Sequence, residues 1–255
     1  ALHNTLEGRP LEYTCDFRGM GQPRHRFGDH FEPTLLLLLP LYALFRTPLV
    51  LLFVQALVLG SGAVALARIG RRVLAVPEAG PVFALVWLLH PGVISAVMAE
   101  YHNGVMAAPL VFWGIAFRLA GRPWWAAIAF LLALGCKESI GGTVCAVGLW
   151  LWWKGYRRFG PGVAAFSALW VLACVHLIIP HFSPTGAYQY ALPDLWSTGE
   201  GLGHRWRAAL YCRVDYLLML IAPAGLACVF APTALAISLP QFALHLLSGY
   251  PSMGV

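Results

Sequence analysis

WWAAIAFLLALGCKESIGGTVCAVGLWLWW occupies residues 124–153. Two apolar runs, Trp124–Leu134 and Thr143–Trp153, flank Gly135-Cys136-Lys137-Glu138-Ser139-Ile140-Gly141-Gly142. A helix rises about 1.5 Å per residue, so each run gives about 20 Å of helix. Bilayer hydrocarbon is about 30 Å thick. The runs therefore predict a short broken helical hairpin, with Lys137 and Glu138 at its tip or within the membrane. Ionisable side chains at such depth are costly and face a cavity or a partner. Two readings follow: an ion pair that staples helices together, or a charged site opening on a polar cavity.

Composition supports the membrane setting. Of 255 residues, 59% are hydrophobic and 11% charged, with a mean hydropathy of +0.70. Soluble domains carry about 25% charged residues. Long apolar runs in hydrocarbon must pair their backbone groups internally, so the expected fold class is all-α, a polytopic integral membrane protein. Ten tryptophans and nine tyrosines suit interfacial belts. The net charge of +6 comes from short clusters between apolar runs, which argues against a nucleic-acid partner. Six cysteines show no C-x-x-C spacing, which argues against zinc. Cys15 and Cys212 fall in loops expected on one side, where a disulfide between them is open.

One transmembrane domain is expected over 1–255. A polar outer loop covers 1–34. Leu35–Phe45 is apolar but too short to span alone, with Pro40 as a kink. Spans follow at Pro48–Ala67, Pro81–Ala99, Val105–Phe117, the 124–153 hairpin and Pro161–Ile179. A second outer loop, 180–213, precedes spans at Val214–Phe230 and Thr233–Leu247. The chain opens at Ala1 in a polar stretch without a signal-peptide pattern and stops after Tyr250–Val255. We therefore expect an internal piece of a longer protein.

Orientation follows from lysine and arginine in short loops. Arg68/Arg71/Arg72, Arg118/Arg122 and Lys154/Arg157/Arg158 fall on one face by alternation, assigned as cytoplasmic. The hairpin tip then points outward. Of eleven acidic residues only Glu78 falls on the basic side, and all nine histidines map to the outer half. Long outer loops rich in every polar residue explain this, as does a reaction or binding site at the outer face.

Three constellations carry candidate chemistry. In Gly28-Asp29-His30-Phe31-Glu32-Pro33, Asp29 suits a general base and His30 a group that orients a hydroxyl. Gly28 permits close backbone approach, and Pro33 suits a helix start. A helix cap in a surface loop explains the same residues. Glu100-Tyr101-His102 joins two spans. Asp29, His30, Glu100 and His102 together leave a divalent metal open, although no metal ligand is assigned. His204-Arg205-Trp206-Arg207 offers forks for phosphate oxygens or anchors for lipid headgroups. There is no Walker loop, G-x-G-x-x-G or G-x-S-x-G, so nucleotide-driven transport and serine hydrolysis have no support.

Phe27-Gly-Asp-His-Phe-Glu-Pro33, the leucine-rich run to Phe45, Cys136-Lys137-Glu138, Asn4–Pro10 and Glu100-Tyr101-His102 with Ala107-Ala108-Pro109 together carry a resemblance. The chain resembles, over nearly its whole length, a bacterial family of predicted polytopic membrane proteins of unknown function. That family is grouped with the GT-C superfamily of membrane glycosyltransferases. The resemblance implies a GT-C-like helical bundle with large outer loops, in the bacterial inner membrane. It also implies inverting transfer of a sugar from a polyprenyl-phosphate carrier to an acceptor at the outer face.

On that expectation Asp29 is the base and Glu100 the competing carboxylate. His30, His102, Lys137, Glu138, His204 and Arg205 are substrate-binding, with Lys137 and Arg205 neutralising the departing lipid phosphate. Membrane lipids are further partners, and the oligomeric state stays open. The alternatives are a transporter or flippase for an anionic lipid or solute, and a non-catalytic membrane scaffold.

Overall fold

A computed structural model describes residues 1–13, 24–188 and 236–240. Its N-terminal part is a small polar module. Helix α1 (Leu2–Leu6) leads to an antiparallel pair, β1 (Glu12–Tyr13) and β2 (Arg24–His25), and then to α2 (Arg26–Asp29). The run Leu35–Phe45 divides into α3 (Thr34–Leu37) and α4 (Leu39–Phe45), which meet at Leu38. Pro40 lies in the first turn of α4, where a missing N–H breaks no helical bond.

The membrane helices depart from the expected spans in two places. Helix α5 (Leu49–Leu74) does not stop at Ala67; it carries Arg68, Arg71 and Arg72 in its last two turns. The expected single span Pro81–Ala99 is two helices, α6 (Ala79–Leu88) and α7 (Pro91–Met98), bent by 48°. Pro91 forces the residue before it out of helical geometry. His90 accordingly adopts ψ 125 and caps α7, its Nδ1 accepting from the Gly92 N–H.

A 3-10 turn, Asn103–Met106, opens α8 (Ala107–Leu119). The hairpin is α9 (Pro123–Leu134) and α10 (Ile140–Trp153), joined by the expected tip at 135–139. Helix α11 (Phe159–Ala173) continues through a π-turn, Cys174–Ile178, into α12 (Ile179–Phe182). Pro180 has no N–H to give the His176 carbonyl, and the helix widens just before it. Of the last two expected spans only 236–240 is described, and it is helical.

Two helices, Leu49–Leu74 and Phe159–Phe182, are long and apolar enough to cross a membrane, and the bent α6–α7 pair makes a third if it is one span. Helices α8, α9 and α10 are apolar but short.

On two helices burial runs opposite to that of a soluble bundle. On α5, Leu49, Phe53, Leu57 and Val64 face outward while Gln55, Gly62 and Ala63 are buried. On α11, Phe166, Leu169 and Leu172 face outward while Gly160, Ala164 and Ser167 are buried. Small and polar residues inside with large apolar ones outside is the pattern of helices packed in lipid.

Packing pairs α5 with α6 and α8, α8 with α9, and α10 with α11. Helices α10 and α11 approach at glycines: a Cβ on Gly148 would lie 2.6 Å from Ala164 N, and one on Gly160 would lie 2.4 Å from Trp152 N. A core of Phe130, Ala133, Leu134, Val144, Val147 and Leu151 fills the space between α8, α9 and α10.

The bundle therefore has two unlike ends. The basic loops meet at one: Arg118 stacks over the Tyr156 ring at 3.9 Å, and Arg68, Arg71, Arg72 and Arg122 surround one cavity. The tip 135–139 lies at the other end of α9 and α10, against the N-terminal module.

Candidate functional site

The site assembles where the N-terminal module meets the hairpin tip. Thr34 binds the tip twice, its N–H and its Oγ1 both donating to the Gly135 carbonyl, at 3.1 and 2.7 Å. Asn103, almost fully buried, reaches in from the 3-10 turn. Its Nδ2 donates to Thr34 Oγ1 and to the Cys136 carbonyl, each at 2.9 Å. Tyr101 Oη in turn donates to Asn103 Oδ1. Two separate segments thus fix the tip before any charged group is considered.

Glu138 is the centre of this junction. Its side chain is 1% exposed. Oε1 accepts from His30 Nδ1 at 2.9 Å and from Tyr188 Oη at 3.0 Å, and Oε2 accepts from the Phe31 N–H at 3.2 Å. A carboxylate only accepts, so Nδ1 of His30 carries a hydrogen. Burial alone would raise the Glu138 pKa; the hydrogen bond and charge of His30, with help from Lys137, outweigh it and hold the group below its ordinary value.

The two motifs singled out in the sequence, Gly-Asp-His-Phe and Cys-Lys-Glu, are therefore in contact across 108 residues. The stapling ion pair between Lys137 and Glu138 does not form. Glu138 is held by the N-terminal module and Tyr188, and Lys137 makes no ion pair among the described residues.

Asp29 and Glu32 are anchored by arginines of the same module. Tyr13 Oη donates to Asp29 Oδ2, and Arg24 Nη1 stands 3.7 Å from Oδ1. Burial, then the bond to Asp29 and its charge, push the Tyr13 phenol up to about 12, so it stays a donor at neutral pH. Arg26 grips buried Glu32 with two nitrogens at 3.0–3.2 Å. The close approach permitted by Gly28 is to the chain's own backbone: an added Cβ would lie 2.5 Å from the Phe182 carbonyl oxygen. His25 stacks on the Phe182 ring at 4.3 Å, fixing α2 against α12.

Lys137 is half-buried beside Gly104, with its Cδ 3.4 Å from where a Gly104 Cβ would stand. Gly104 lines an apolar cavity of about 740 Å³ that runs between α5, α7, α8 and α10. Cys136 is a neutral thiol rather than a nucleophile, because burial pushes it up to about 11. Two donors near the junction, Ser139 Oγ and Trp170 Nε1, are buried without a hydrogen-bond partner among the described residues.

Glu100 and His102 do not join this junction through any contact among the described residues. Their side chains are 83% and 63% exposed and face each other at 3.9 Å. The backbone on either side of Glu100 is secured instead by Gln55 of α5, whose Oε1 accepts from the His102 N–H and whose Nε2 donates to the Ala96 carbonyl. Among the described residues no group of three or more His, Cys, Asp and Glu side chains is placed to hold a metal ion. The set Asp29, His30, Glu100 and His102 is thus not gathered as the sequence left open. His204 and Arg205 lie outside the described residues, as do Cys15 and Cys212.

Sequence reasoning missed Tyr13, Arg24, Arg26, Thr34, Gln55 and Asn103. Thr34, Gln55 and Asn103 act through partners far along the chain, and Tyr13, Arg24 and Arg26 act within a short module whose polar sequence has no periodicity.

Over residues 1–254 the chain matches the family described as predicted membrane protein DUF2079, and it belongs to that family. Neither a curated protein nor a solved structure matches it.

Proposed function

We propose that this DUF2079 member is a membrane-embedded transferase that takes a sugar from a polyprenyl-phosphate carrier, at the face where the hairpin tip lies. The observation that carries the reading is the buried His30–Glu138 contact, with Lys137 next to it beside an apolar cavity of about 740 Å³. A lipid-linked phosphate needs a cation at its head and apolar space for its chain, and Lys137 with this cavity supplies both. Ser139 Oγ and Trp170 Nε1, buried without a hydrogen-bond partner among the described residues, are further support, since such atoms call for an explanation such as a bound polar group.

In this reading an acceptor hydroxyl attacks the anomeric carbon and the bond to the phosphate oxygen breaks. The acceptor proton passes to Asp29, and polyprenyl phosphate leaves against Lys137. Glu138 orients His30 toward the sugar or acceptor. The outer face of a bacterial inner membrane is the compartment this topology proposes, because the arginine-rich end is then cytoplasmic.

A second reading, a transporter or flippase for an anionic lipid, is favoured by one observation. The α6–α7 helix is broken by 48°, and broken helices frame the sites of transporters. Incubation of the full chain in nanodiscs with a radiolabelled polyprenyl-phosphate sugar separates the two, because only a transferase releases the label onto an acceptor or water. Asp29→Asn is expected to slow release by about 10²–10⁴, the usual worth of a general base. Glu100→Gln, at an exposed carboxylate, is expected to leave it unchanged. Full turnover by Asp29→Asn would remove the assigned base.

A further inference from the structure

The other end of the bundle carries a second feature that the transferase reading does not use. Arg68, Arg71 and Arg72 of α5 and Arg122, just before α9, line one cavity of about 530 Å³. Its floor is apolar: Ala116, Phe117, Leu119 and Ala120. None of the four arginines forms an ion pair among the described residues. Arg68 and Arg72 are four apart on one helix, a like-charge spacing that costs stability unless an anion offsets it.

Two of the four arginines are held in place. The Arg68 guanidinium lies 4.8 Å from the centre of the Trp113 ring. Arg71 lies across Gly80, where a Cβ would come within 2.2 Å of its Nε. Sorting of positive charge to one side of a membrane asks only that basic residues lie on that side. It does not ask four side chains from two helix ends to converge on one cavity.

We propose that this cavity binds the phosphate of an anionic phospholipid. Guanidinium forks match phosphate oxygens, and basic pockets between membrane helices take anionic headgroups. The lipid source, rather than free phosphate, follows from what surrounds the arginines. Leu74 and Val76 stand exposed beyond Arg72, and Trp124 and Trp125, 83% and 57% exposed, stand directly after Arg122. Acyl chains would lie along these residues. The site is about one α8 length, about 20 Å, from the end at which Lys137 lies beside Gly104, so it stands or falls independently of the transferase reading.

The test is native mass spectrometry of the full chain in zwitterionic detergent, titrated with phosphatidylglycerol, phosphatidylcholine or inorganic phosphate. Wild type is expected to retain phosphatidylglycerol in preference to phosphatidylcholine, and inorganic phosphate is not expected to displace it. Each arginine near a membrane surface contributes about fivefold, so Arg71→Gln/Arg72→Gln/Arg122→Gln is expected to weaken retention on the order of a hundredfold. Lys154→Gln/Arg157→Gln, at the same end but outside the cavity, is expected to retain the lipid as wild type does. If the triple variant does not fold, Arg122→Gln alone reads the fivefold loss. Equal weakening by the Lys154/Arg157 pair, no preference over phosphatidylcholine, or full displacement by inorganic phosphate would each overturn the proposal.

Discussion

Glu138 shows how a single carboxylate ties the sequence to the site. It is nearly inaccessible, accepts three hydrogen bonds, and joins segments that are distant in the chain. Its pKa is held below the ordinary value of 4.5, because the bond and charge of His30 outweigh burial. A group with a lowered folded pKa contributes stability that is full above the unfolded pKa and is lost as pH falls through the folded one. Thermal melts of wild type in detergent are therefore expected to drop below about pH 4.5. Glu138→Gln removes that part of the acid dependence and costs about 1–3 kcal/mol at neutral pH through lost partners. An acid profile identical in both proteins would show that Glu138 is not the linked group. The sequence pointed to Lys137 and Glu138 because charge between apolar runs is conspicuous, and to Asp29 and His30 because an acid beside a histidine suits proton transfer. It did not point to Asn103 or Thr34, which are ordinary polar residues until the hairpin tip is folded against them.

At the scale of elements, the helices follow from apolar runs, and their breaks follow from prolines. The hairpin was legible because Lys137 and Glu138 interrupt a run too short to span on either side. The split of Pro81–Ala99 was not read, although Pro91 after His90 is its cause, because hydropathy does not register a bend. The pairing of α10 with α11 was not legible either, since it depends on which glycines face each other. Gly160 stands where a methyl group would meet Trp152 N at 2.4 Å, whereas a Cβ on Gly162 meets nothing within 4 Å. Gly160→Ala is expected to cost about 1–3 kcal/mol by overpacking. Gly162→Ala, on the same helix, is expected to be neutral or to stabilise by up to about 1 kcal/mol. Melting temperatures in detergent check this pair, and equal shifts would contradict the packing described.

For the whole molecule, the decisive feature is polarity along the bundle axis. One end gathers arginines around an apolar-floored cavity; the other gathers carboxylates, histidines and the hairpin tip. Membrane association follows from the family and from the inverted burial of α5 and α11. The claim that most needs a test is that the tip is a working site rather than a structural clasp. Lys137 discriminates, because it makes no ion pair among the described residues while Glu138 carries the structural contacts. The measurement is release of labelled sugar from a polyprenyl-phosphate donor by Lys137→Met and Lys137→Arg, each with its melting temperature. The account predicts that Lys137→Met loses turnover with its melting temperature unchanged, and that Lys137→Arg keeps part of the turnover because the charge survives. Wild-type turnover in Lys137→Met, or a loss matched by collapse of its melting temperature, would contradict it.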